Sequence, residues 1–149
     1  MESQAIAQRL EKRPSHSIPT PRLPAPPKRG LWQPAVPANL LNPSSKEYFE
    51  RTRHERLGKP LAQLAQESGG EEAWMAAMPE MKELGALLKA EGGPFVMGKT
   101  PSYADFVIVG WLQFFKTIDV KLYERVVSIE PAFGTLYDAS KQWLERDDH

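Results

Sequence analysis

The chain is 149 residues long, 41% hydrophobic and formally neutral, with 19 basic and 19 acidic residues and no cysteine. That length suits one domain of ordinary size. Zero net charge gives no electrostatic basis for binding nucleic acid or an anionic membrane, and the lack of cysteine excludes disulfides, zinc thiolates and a thiol nucleophile within the chain. The three histidines, His16, His54 and His149, lie far apart with no metal-ligand spacing, so no metal site is expected. No apolar leader stretch opens the sequence, and the expected setting is a soluble, cytoplasmic one.

Residues Glu2 to Leu10 read as a short helix with Ile6 and Leu10 one turn apart. A helix of that length is marginal in water without a surface to pack on. Between Pro14 and Pro37, eight prolines fall in 24 residues with almost no helical periodicity. This predicts polyproline II or irregular coil that cannot bury a core. Within it, Pro24-Ala25-Pro26-Pro27-Lys28-Arg29 fits a PxxPxR ligand for an aromatic-lined groove, a pattern that arises often by chance in proline-rich linkers.

After Asn42-Pro43, Ser44 and Ser45 can cap a helix running through Lys46 to about Glu67. Its expected apolar stripe is Phe49, Leu57, Leu61, Leu64 and Ala65, with Tyr48 alongside. Pro60 removes a helical hydrogen bond and should kink or divide the element. Arg51, Arg53, His54 and Arg56 interleave with Glu47, Glu50 and Glu55, which favours a solvated face of paired charges over an anion site.

Ser68-Gly69-Gly70 breaks the chain before an amphipathic helix carrying Trp74, Met78, Met81, Leu84, Leu87 and Leu88 and ending at Gly92-Gly93. Next comes Ser102-Tyr103-Ala104-Asp105, an S-x-x-D capping box in which each side chain can serve the other residue's backbone N–H. Pro101 and Phe106 are placed as a hydrophobic staple around it. From Tyr103 to Thr117 nearly every position is apolar, which predicts a helix in the middle of a bundle. It is too short and too interrupted to span a membrane. Gly110 inside it predicts close approach of a neighbouring helix. A shorter helix from Asp119 to about Ser128 follows, and Pro131 opens the last one, with Phe133, Leu136, Tyr137, Trp143 and Leu144. The expected architecture is an all-α bundle of five helices over roughly residues 44–146.

Gly93-Pro94-Phe95-Val96-Met97-Gly98 and Pro101-Ser102-Tyr103-Ala104-Asp105-Phe106 resemble the C-terminal helical domain of glutathione transferases, whose buried N-capping box falls on Ser102 and Asp105. The run from Leu41 to Arg53, on to Gly58-Lys59, and the ending Leu136-Tyr137-Asp138-Ala139 with Trp143-Leu144-Glu145-Arg146 are similar to a fungal branch of that family. These segments cover about two thirds of the chain. The resemblance implies a remnant of a thioredoxin-like domain at 1–13, a proline-rich linker at 14–41 and the helical domain at 42–149.

Glu2-Ser3-Gln4-Ala5-Ile6 resembles the motif whose acid and serine hold the γ-glutamyl end of glutathione in the family. Ser3 is equally well placed as a plain helix N-cap. No residue of the chain matches the family's thiolate-stabilising Tyr, Ser or Cys, so the chain looks truncated, and catalysis by it alone is not expected. The resemblance implies glutathione as co-substrate, a small hydrophobic electrophile as second substrate and a homodimer among the expected assemblies. By analogy Tyr48, Trp111 and Phe115 would line the apolar pocket, though each also suits a core or interface position. A second reading is a non-catalytic module that binds another protein or an apolar ligand.

Overall fold

In the computed structural model, which describes residues 28–145, regular structure is helical apart from two isolated β-bridges, Phe95 to Gly98 and Met97 to Thr100. Two short helices, α1 (Arg29–Trp32) and α2 (Val36–Asn39), are joined by a 3-10 turn over Gln33–Ala35. They lead into α3 (Pro43–Leu57), α4 (Leu61–Ser68), α5 (Gly70–Ala90), α6 (Tyr103–Ile118), α7 (Val120–Ile129) and α8 (Ala132–Leu144).

The breaks follow local chemistry. Asn42, not Ser44 or Ser45, caps α3: its Oδ1 accepts the Ser45 N–H at 2.8 Å. Pro43 takes the first helical position, where its missing donor is harmless, and so moves the start upstream. Gly58, at φ +70°, ends α3 in the left-handed region, and Pro60 begins α4, so the helix expected to kink or divide at Pro60 is divided in two. Helix α5 runs through Pro79 on an exposed turn and carries Glu71 and Glu72 at its positive end. Asp119 caps α7 through the Lys121 N–H at 3.0 Å.

The core lies where α5, α6, α7 and α8 meet. Leu84 and Leu88 of α5, Ile108, Leu112 and Phe115 of α6, Val126 of α7, and Leu136 and Tyr137 of α8 are all buried in one cluster. Helix α3 stands apart. It buries no residue, and Tyr48 is 63% exposed. Of the stripe expected across α3 and α4, only Leu61 and Leu64 are buried, because the break at Gly58 lets α4 turn its apolar face inward without α3.

Two expectations fail. The end of the proline-rich stretch, from Arg29 onward, is not irregular coil: it folds into α1, the 3-10 turn and α2 and buries Gly30, Gln33, Val36 and Pro37. Prolines at the first positions of short helical turns need no donor there, and Gly30 lies so close to the Ser68–Gly69 backbone that a Cβ would collide with it. Nor does a described neighbour pack on Gly110: among the described residues nothing lies within 4 Å of where its Cβ would stand. One side of α6 is buried and the other faces outward.

Candidate functional site

The loop after α5 and the first turn of α6 form one hydrogen-bonded unit. The capping box of Ser102 and Asp105 closes as the sequence predicts. Asp105 Oδ2 accepts both the Ser102 N–H and the Ser102 hydroxyl at 2.7 Å, while Oδ1 accepts the Val96 N–H at 2.8 Å. The carboxylate is fully buried. Its position at a helix N-terminus suits a negative charge, and these donors replace the water it has lost. The loop itself is held by reciprocal hydrogen bonds between Phe95 and Gly98 at 3.1 and 2.9 Å, with Gly98 at φ +79°. The Phe106 ring packs edge-on against Trp143, at 5.4 Å between centroids, and Trp143 also meets Phe95.

The outward side of α6 is aromatic. Tyr103 is 81% exposed, Phe106 43% and Phe114 37%. With Gly110 they recur at helical spacing along one side of the helix. At the end of this stripe Trp32 of α1 packs edge-on against Phe114 at 5.5 Å. The sequence showed that α6 was apolar all round but not which side turned outward.

The three residues expected to line a hydrophobic pocket stand in different surroundings. Phe115 is buried in the core and Trp111 is half-buried against it. Tyr48 lies on exposed α3 under the Arg51 guanidinium, 5.6 Å from the ring centre. Glu2 and Ser3, the expected glutathione contacts, lie outside the described residues.

Two polar arrangements were not legible in the sequence. Between the end of α5 and the start of α8 is a cavity of about 250 Å³, lined in part by Leu88, Lys89, Pro94, Glu130 and Thr135. Glu130 is buried, and its Oε1 accepts from Lys89 Nζ at 2.9 Å and the Ala132 N–H at 3.2 Å. Burial alone would raise the Glu130 carboxyl, but these two donors and the charges of Lys89 and Lys82 bring it below its usual value. A Cβ at Gly85 would fall on that carboxyl. On the other side of the bundle, the Tyr137 hydroxyl donates to Gln113 Oε1 at 2.6 Å, and Lys116 Nζ sits 4.8 and 5.3 Å from the Tyr137 and Tyr123 ring centres. Burial, with Asp138 nearby, pushes the Tyr123 hydroxyl up. None of Tyr48, Trp111 and Phe115 lines the cavity. Among the described residues no cluster of His, Cys, Asp or Glu could hold a metal ion, and no helix is long and apolar enough to cross a membrane.

An all-helical bundle with a buried N-capping box opening its central helix is the arrangement that the sequence motifs imply, and the family comparison agrees. Residues 28–143 match the family model described as glutathione S-transferase, C-terminal domain, so the chain belongs to the glutathione S-transferase family through that domain. It is similar to the glutathione S-transferase-like protein ustS of Aspergillus flavus, with 36% identity over 116 residues, 71% of this chain. The match spans 41% of that relative's length. No solved structure matches the chain.

Proposed function

We propose that the chain is a glutathione-transferase-type protein whose helical domain supplies the apolar, electrophile-side surface of the site. The family match over residues 28–143 carries this reading. In that chemistry a hydrogen bond to the glutathione thiolate lowers the thiol's pKa, and a helical domain shelters the hydrophobic second substrate. Glu2 suits the ammonium of the γ-glutamyl group, and Ser3 with free N–H groups suits its carboxylate. Trp111 is the pocket candidate we favour, since it is half-buried on α6, whereas Phe115 is held in the core. Because no residue among the 149 matches the family's thiolate-stabilising position, these residues alone should not activate the thiol. In a conjugation assay with glutathione and 1-chloro-2,4-dinitrobenzene, the expected rate is the uncatalysed one. Turnover above it that Ser3→Ala abolishes would show that these residues do activate the thiol and would overturn the expectation that they cannot.

A second reading is a non-catalytic interaction module, and α3 favours it. A 15-residue helix that buries nothing while presenting Tyr48, Phe49, Arg51 and Arg53 is a surface open to a partner. Size-exclusion chromatography with light scattering tests it: a defined assembly held through α3, and therefore lost on Tyr48→Ala, supports the module, and a clean monomer counts against it.

A further inference from the structure

The Lys89–Glu130 pair stands on the wall of the cavity between the end of α5 and the start of α8. Its two members are unequally sheltered: the Glu130 side chain is 9% exposed and the Lys89 side chain 60%. Glu130 Oε1 takes both hydrogen bonds, from Lys89 Nζ and the Ala132 N–H. Oε2 takes none among the described residues. Nor is it one of the two unpartnered side-chain atoms sealed from solvent, Gln33 Oε1 and Ser140 Oγ, so an incoming donor can reach it. Lys89 Nζ gives one of its three N–H groups to Glu130 and keeps two.

An ion pair that served only to join α5 to α8 would add little over apolar side chains of similar volume. Here α5 carries glycine at position 85, where any Cβ would fall on the Glu130 carboxylate. The fold thus leaves room for a buried charge on a wall that is otherwise largely apolar, with Pro94, Pro131 and Ala132. A few polar groups converging on an apolar hollow is the usual composition of a small-molecule site. The charges then select what enters. A ligand with one charge is attracted by one member of the pair and repelled by the other, 2.9 Å away. A zwitterion laid against the pair meets two attractions. Size limits the ligand too: a cavity of about 150 Å³ holds benzene, and this one is about 250 Å³. The geometry points to a site for a free α-amino acid with an apolar side chain. Its carboxylate lies on Lys89 Nζ, its ammonium on Glu130 Oε2 and its side chain against Pro94 and Pro131. This goes beyond the functional reading and rests on no glutathione chemistry.

The test is a titration of the full, isotope-labelled chain followed by NMR. Three probes share one apolar body: L-leucine, 4-methylpentanoate without the ammonium, and isopentylamine without the carboxylate. Leucine should give saturable shifts at the Lys89, Gly93 and Ala132 amides and bind about tenfold more tightly than either of the others. Lys89→Met, at an exposed position, should weaken leucine about tenfold while isopentylamine binds no worse, because a repelling charge has gone. Glu130→Gln should do the reverse, weakening leucine and sparing 4-methylpentanoate. Equal affinity for all three probes, or an amine or acid that matches leucine, would overturn the proposal. So would shifts that never saturate, or leucine binding unchanged in Lys89→Met. Should Glu130→Gln not fold, the probe comparison and Lys89→Met decide.

Discussion

Asp105 Oδ1 accepts the Val96 N–H at 2.8 Å, across nine residues of sequence. Through that bond the side chain that starts α6 also fixes the loop that ends α5. Replacing Asp105 with Ala therefore strands two half-buried N–H groups at once, those of Val96 in the loop and of Ser102 at the cap. Hydrogen bonds to a charged group contribute about 1.5–3 kcal/mol each, and a buried unpaired donor costs about 1–3 kcal/mol. Asp105→Ala should lose about 4 kcal/mol of stability in chemical denaturation. Ser102→Ala, which leaves the Val96 bond intact, should lose about 1 kcal/mol.

The Lys89–Glu130 pair predicts an acid-sensitive joint between α5 and α8. The folded Glu130 carboxyl lies below its ordinary value of 4.5. Its stabilisation is therefore complete above the unfolded value and is lost as pH falls through the lower folded one. Denaturation midpoints followed from neutral pH into acid should fall less steeply in Glu130→Gln than in the native chain. Gly85→Ala should remove the same dependence by displacing the carboxyl, at a cost of about 1–3 kcal/mol.

Tyr137 tests whether its hydroxyl matters beyond packing. The ring is buried, but its partners Gln113 and Lys116 are exposed and can turn to water once the hydroxyl is gone. Tyr137→Phe should thus cost only about 1 kcal/mol. A loss several times larger in thermal unfolding would show that the bond fixes α8 against α6.

The contrast between core and α3 sets a further test. Leu136 is 0% exposed, and Leu136→Ala should cost about 3 kcal/mol or more through the cavity it leaves. Tyr48→Ala, on a helix that buries nothing, should stay within about 0.5 kcal/mol.

Much of this fold was legible because its signals are local. The S-x-x-D box, the Gly69-Gly70 break and the apolar run of α6 each act within a turn or two of chain, and each element formed where these placed it. What stayed hidden depends on distant neighbours. Proline density between Pro14 and Pro37 describes the backbone's freedom and says nothing of the Ser68–Gly69 backbone on which Gly30 comes to rest. Likewise Gly110 permits close packing without requiring it. Tyr48 and Phe115 look alike as aromatic residues on helices, yet one is exposed and the other buried, a difference decided by which helices meet. Glu130 sits in its cavity through Lys89, 41 residues upstream, a pairing that no spacing rule would suggest.

Helix α3 has one more consequence. It ends at a left-handed glycine and has no buried side chain to hold it down. Segments of this kind open by themselves, far below the free energy that unfolds the whole domain. Under native conditions the amides of residues 46–57 should therefore exchange first and almost independently of denaturant, while those at the centre of α6 wait for global unfolding. The domain would then be two cooperative units joined at Gly58, with the α5–α8 unit keeping its shape while α3 melts and re-forms.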